Sequence, residues 1–296
     1  MCDERAFDDM EAAPRNTARL TRREFGALSA GAGFSMLWPG AVEAEGDVPE
    51  VTGRDLSIPT PDGTADAWFV HPTAGKAPAV LLWPDAFGLR PAMKQMANRL
   101  ARSGYAVLVM NPYYRIGPAP LPEPDADFTD PDTRKRIFGL IRQLTAETQT
   151  SDAQTFIEFL DGQPSVDTKR QMGTLGYCMG GPMTMRTAAA RPDRIGAGAS
   201  FHGGRLVTDQ PDSPHLLVPK IDSRFLFAIA ENDDEAQPEA KDVLGRAFAD
   251  RRLDVEIEVY EGALHGWCPP DSRVYHEAQA ERAWGRLLAL FETALT

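Results

Sequence analysis

Cysteine is scarce in this chain: three in 296 residues, at positions 2, 178 and 268, with no C-x-x-C pair. Thiol–disulfide exchange is therefore left without its paired thiols. Positive charge is also short, with 31 Lys and Arg against 43 Asp and Glu for a net charge of -12. Acidic residues are spread along the whole chain, which argues against nucleic-acid or anionic-membrane partners and makes any attraction for an anionic substrate a local matter. The apolar run at Gly26–Pro39 is too short for the roughly 20 residues that a bilayer requires, so no stable membrane insertion is expected. There is no internal repeat, and no linker that would divide two domains. Residues 45–296 are enough for one large α/β domain with a sizeable core. The proline- and acid-rich stretch Pro118–Pro131 reads as a surface excursion, with a lid as the alternative.

The start of the chain carries an address. Thr21-Arg22-Arg23-Glu24-Phe25 has the twin-arginine form, the short apolar run follows it, and Val42-Glu43-Ala44 is small where a signal peptidase reads. Residues 1–44 are thus expected to be a leader handled by the twin-arginine export machinery and then removed. The mature protein is expected to be periplasmic or secreted, and Cys2 goes with the leader.

The most informative stretch is Gly176-Tyr177-Cys178-Met179-Gly180-Gly181, a G-x-nucleophile-x-G turn with cysteine where serine usually stands. Met172–Leu175 before it reads as a short buried strand, and Pro182–Ala190 after it as a helix with proline in its first turn. A nucleophile lifted above a sheet sits in unfavourable backbone geometry, and its glycine neighbours let strand and helix approach each other. Downstream, Phe225–Ala230 is a continuous apolar run fit for a buried strand, opening into Glu231-Asn232-Asp233-Asp234. Val255–Tyr260 alternates like a strand and breaks into Glu261-Gly262-Ala263-Leu264-His265-Gly266-Trp267. Nucleophile, then acid, then histidine, each after a strand, is the order of catalytic groups on α/β-hydrolase sheets.

The remaining pattern alternates strand and helix. A hairpin is expected at Asp55–Ile58 and Ala65–Val70, and core strands at Ala79–Trp83, Ala106–Met110, Met172–Leu175, Gly196–Ser200, Phe225–Ala230 and Val255–Tyr260. Helices are expected over Pro91–Arg102, Asp132–Glu147, Ser151–Leu160, Pro182–Ala190, Glu239–Asp250 and Arg273–Leu290. Met93, Met96 and Leu100 have helical spacing, as have Phe138, Ile141 and Leu144, and both sets read as core stripes.

With these residues in view, the chain resembles the dienelactone hydrolases, cysteine members of the α/β-hydrolase superfamily, over nearly everything after Val51. The resemblance is carried by the Cys178 turn, Pro84-Asp-Ala-Phe-Gly88, Asn111-Pro-Tyr-Tyr-Arg115, Ser200-Phe-His-Gly-Gly204, Glu231-Asn-Asp-Asp234 and Leu264-His-Gly-Trp267. It implies an α/β-hydrolase fold, a mostly parallel sheet with helices on both faces. It implies Cys178 as nucleophile, His265 as base and Asp233 as the orienting acid, with Asp234 as a live alternative. Asp85 stands where the best-known members have a glutamate that holds the resting cysteine. Arg115 corresponds to an arginine that receives a substrate carboxylate, and Tyr113 belongs to the same motif as a substrate-binding or nucleophile-orienting residue. No metal or cofactor is implied.

The chemistry narrows the substrate. A thiol with an ordinary pKa of about 8.5 is mostly protonated at neutral pH, so it needs His265 as base. The backbone N–H groups of Met179 and Ala86 are the expected oxyanion donors. Thiolate is itself a good leaving group, so enol esters, aryl esters, thioesters and lactones that release an enolate suit it better than alkyl esters or amides. The expectation is a small-molecule activated ester or lactone, dienelactone-like and anionic. The alternatives are a ligand-binding protein on a hydrolase scaffold and a broader carboxylesterase or thioesterase. His202, closing a strand in a glycine turn, reads as structural, with substrate contact as its other role. Cys268 is expected to be a free thiol.

Overall fold

The computed structural model describes residues 48–123 and 126–296; the leader expected at 1–44, with its twin-arginine form and expected cleavage point, lies outside them. Val51–Thr60 (β1) and Gly63–Pro72 (β2) form an antiparallel hairpin. β2 pairs antiparallel with Ala106–Met110 (β4). From there the sheet is parallel through Ala79–Trp83 (β3), Met172–Tyr177 (β5), Ile195–Phe201 (β6), Arg224–Ala230 (β7) and Val255–Tyr260 (β8). Eight strands thus make one sheet in the order β1-β2-β4-β3-β5-β6-β7-β8. The chain steps outward from β3 to β4 and returns to β5 on the other side of β3. That reversal opens a crevice beyond the carboxyl ends of β3 and β5, where open α/β sheets place their ligands.

The helices are Pro91–Arg102 (α1), Pro131–Ile141 (α2), Ala146–Asp161 (α3), Gly180–Ala190 (α4), Glu231–Ala236 (α5), Ala240–Arg251 (α6) and Glu277–Ala294 (α7), with a 3-10 turn at Pro214–Lys220. Strand alternation sends side chains to two cores. Ala79, Leu81 and Trp83 of β3 pack with Phe156 of α3, Met183 of α4 and Phe248 of α6. Val80 and Leu82 face the other way, onto Met93 and Leu100 of α1 and Trp284 and Phe291 of α7. All five residues of β3 and of β4 are buried, because helices cover both faces of the sheet there. Each fully buried Leu or Phe contributes about 1.5–3 kcal/mol relative to exposure. No helix among the described residues is long and apolar enough to cross a membrane.

Two helices depart from expectation. The one predicted over Asp132–Glu147 stops at Ile141, because Thr145 caps a new helix: its Oγ1 accepts the Thr148 N–H at 3.2 Å. Leu144 consequently falls in the connection and is only half-buried. The last helix begins at Glu277 rather than Arg273, with the His276 ring accepting the Gln279 N–H at 3.4 Å. The residues between Gly266 and His276 are left as a loop that borders the crevice.

Candidate active site

β5 delivers its last residue, Tyr177, and the chain then turns sharply into α4. Cys178 sits at this turn with φ 53°, in the left-handed region that a non-glycine residue occupies at a cost of about 1–3 kcal/mol. Its N–H donates to the Phe201 carbonyl at 3.1 Å, and its own carbonyl accepts the Gly181 N–H at 3.0 Å. Close approach explains the glycine before it: a Cβ on Gly176 would lie 2.1 Å from the Gly180 carbonyl oxygen.

His265 lies in the loop after β8. Its Nε2 is 3.1 Å from Cys178 Sγ, and its Nδ1 is 2.9 and 2.8 Å from the two oxygens of Asp233. A carboxylate only accepts, so Nδ1 carries a proton, and Nε2 is the ring nitrogen turned to the sulfur. Three consecutive residues of α5 hold this loop. Glu231 accepts the Gly262 N–H at 3.1 Å, Asn232 Oδ1 accepts the His265 N–H at 2.8 Å, and Asp233 takes the ring. Asp234, the other candidate acid, points away from His265 along α5 and pairs with Lys241 at 2.6 Å. Asn232 was missed as a positioning residue, although its place beside two carboxylates in a strand-end cluster was a signal.

Across the crevice lies the loop after β3. Ala86 is fully buried here, and Met179, at the start of α4, is nearly so. Tyr113, expected as a substrate contact, is fully buried as a strut beneath them. Its hydroxyl donates to the Ala86 carbonyl at 3.0 Å and lies 3.2 Å from Met179 Sδ. It thus ties together the two residues whose amides would receive an oxyanion.

Asp85 is almost entirely buried, and Arg90 holds both of its oxygens, at 2.6 and 2.9 Å. Arg90 also grips Asp271 from the loop beyond His265, at 2.7 and 2.9 Å. Burial opposes its charge, but the two carboxylates override that and raise the guanidinium pKa. Arg90 was not singled out in the sequence.

Arg115 is a correction. It was expected to meet a substrate carboxylate, but its guanidinium is held between Asp62 of the hairpin turn and Asp152 of α3, at 2.7–2.9 Å, and it does not line the crevice. The turn after β4 aims it at the hairpin, where two native carboxylates take the fork that a substrate would need.

The crevice is a cleft of about 2380 Å³ with Cys178 and His265 on its floor. Residues 119, 120, 122, 123 and 126–129 form part of its wall, so the proline-rich stretch is more than a surface excursion. Cys268 also reaches the cleft. Neither it nor Cys178 is in a disulfide, and burial pushes the Cys268 pKa well above the ordinary value, which disfavours its thiolate. His202 packs edge-on against His265 at 5.1 Å between ring centroids, with no exposed surface and no partner on either ring nitrogen. Burial, and then the nearby His265, push its pKa well below the ordinary value, so it is neutral. A second charge is thereby kept away from His265.

A model of the dienelactone hydrolase family matches residues 65–295. The carboxymethylenebutenolidase of Rhodococcus opacus is 27% identical over 239 residues, covering 79% of this chain and 89% of the relative. Carboxymethylenebutenolidase 1 of Cupriavidus pinatubonensis is 25% identical, covering 82% and 95% of the two chains. Among solved structures, a dienelactone hydrolase-like promiscuous phosphotriesterase from metagenomic libraries superposes with a TM-score of 0.67 at 22% identity, over 83% of this chain and 99% of that one. The dienelactone hydrolase of Anabaena variabilis gives 0.55 at 18% identity, over 83% and 99%. These structural likenesses carry the fold, an α/β-hydrolase sheet, while the family model spans most of the chain. The chain belongs to the dienelactone hydrolase family and is a hydrolase.

Proposed function

We propose that the protein hydrolyses activated esters or lactones through a Cys178 thiolate and a thioester intermediate, with His265 as base and Asp233 orienting it. The observation that carries this reading is the unbroken line Asp233–His265–Cys178, at 2.8 Å and then 3.1 Å. His265 Nε2 takes the thiol proton, and sulfur adds to the ester carbonyl. The oxyanion is held by the amides of Ala86 and Met179, each of which is worth about 10²–10³ in rate by analogy with other oxyanion holes. Collapse of the tetrahedral intermediate breaks the C–O bond, and imidazolium returns the proton to the departing alkoxide or enolate. Water, deprotonated by His265, then attacks the thioester and releases the acid and the thiol. Intact-mass spectrometry during turnover of an aryl ester is expected to reveal an acyl adduct that maps to Cys178 and is absent from Cys178→Ala. Turnover with the acyl group on another residue, or with none, would refute the thioester route.

The leader motif supports placing this activity outside the cytoplasm. Cell fractionation is expected to find the processed protein in the periplasm or medium. Changing Arg22 and Arg23 to Lys is expected to retain it inside, and unchanged export would count against the assignment.

A further inference from the structure

A substrate carboxylate needs a cation with hydrogen-bond donors to offer, and Arg90 has none left. Nε and Nη2 are on Asp271 at 2.7 and 2.9 Å, while Nη1 and Nη2 are on Asp85 at 2.6 and 2.9 Å. The fifth N–H points to the Gly88 carbonyl at 3.5 Å. A guanidinium has only five donors, so all are engaged by the protein itself. Two carboxylates against one guanidinium also leave a surplus negative charge beside the oxyanion loop. Farther out along the cleft, Lys94 pairs with Asp55 and Arg99 with Glu281. Arg115 lies elsewhere, between its own carboxylates.

Apolar surface fills the same wall. Phe87 and Phe128 meet edge to face at 5.0 Å, next to Ala86, and both line the cleft. The Arg90 guanidinium lies 5.5 Å from the centre of the Phe87 ring and holds it against the loop. An aromatic or apolar group finds contact area there, whereas an anion against this wall meets an Arg90 whose donors are already taken and the carboxylates that take them.

We propose that this cleft selects uncharged activated esters with an apolar or aromatic substituent seated on Phe87 and Phe128, and that the Asp85–Arg90–Asp271 network turns carboxylate-bearing esters away. The proposal rests on the ester-hydrolase reading but concerns recognition, so binding and chemistry can be measured separately.

The test compares two aryl esters of equal size, one carrying a carboxylate and the other its uncharged carboxamide. The matching amides, which a thiolate cleaves poorly, are titrated against the same protein by calorimetry. The uncharged ester is expected to have at least tenfold higher kcat/KM, and the uncharged amide to bind correspondingly tighter. Added salt should narrow the ratio, because screening weakens repulsion of the anion. Asp271→Asn removes one charge with little change of shape, and is expected to raise kcat/KM for the anionic ester severalfold and so narrow the ratio further. Equal or better binding and turnover of the carboxylate pair would overturn the proposal and turn attention to Arg273, which also lines the cleft. Discrimination in binding without a Cys178 adduct from either ester would overturn the thioester route and leave charge selection standing.

Discussion

Asp233→Asn is expected to lower kcat by roughly 10²–10⁴-fold, whereas Asp234→Asn should stay within about threefold of the parent. The two residues are chain neighbours of identical chemistry, so the contrast isolates geometry. Asp233 accepts the Nδ1 proton of His265 at 2.8 and 2.9 Å, which keeps the Nε2 lone pair toward the sulfur 3.1 Å away. An asparagine amide can turn its NH₂ to Nδ1, which favours the opposite tautomer and puts a proton where the thiol's proton must go. The charge that supports the imidazolium disappears at the same time. Asp234 loses only a partly exposed ion pair with Lys241, of the kind worth up to about 1 kcal/mol. Steady-state rates on an aryl ester, with melting temperatures to verify folding, decide the matter. Comparable losses in both variants would refute the assignment of the acid.

Gly176→Ala is expected to destabilise the fold by at least about 3 kcal/mol, because overpacking against rigid groups sits at the upper end of core substitutions. The added Cβ would lie 2.1 Å from the Gly180 carbonyl oxygen and 2.4 Å from its carbon, both backbone atoms of the turn that presents Cys178. Neither can give way without moving β5 or α4. Gly139 in α2 is the control: nothing lies within 4 Å of its added Cβ. Alanine there should stabilise by about 0.5–1 kcal/mol through helix propensity. At roughly 2–4 °C per kcal/mol for a domain of this size, thermal melts should separate the two variants by about 7 °C or more. A Gly176→Ala protein melting with the parent would show that the turn can relax.

Much of this architecture was legible because burial writes itself into composition. β3, β4, β8 and α1 fall where the pattern predicts them: the first two as continuous apolar runs covered on both faces, α1 by its Met93-Met96-Leu100 stripe. The cysteine turn and the histidine loop were legible from glycine spacing and strand ends. What was not legible depends on direction or on distant partners. Asp233 and Asp234 differ by about a third of a turn on α5, and only the fold decides which one meets His265. Arg115 was misplaced because its partners stand 53 and 37 residues away, and Arg90 was overlooked because Asp271 lies 181 residues downstream. The boundary between the two helices expected at Asp132–Glu147 and Ser151–Leu160 moved back to residues 142–145, and it turned on a single threonine cap.

Glu231, Asn232 and Asp233 grip Gly262, the His265 backbone and the His265 ring in succession. The imidazole of His265 and the carboxylate of Asp233 therefore travel as one piece: a swing of the turn beyond β8 would carry the one along with the other. Their mutual alignment is thus insulated from breathing of the cleft mouth. The coordinate left to vary is the gap between that unit and the sulfur on the opposite turn, so wear on the enzyme by heat or mutation should register first as a change in this single separation.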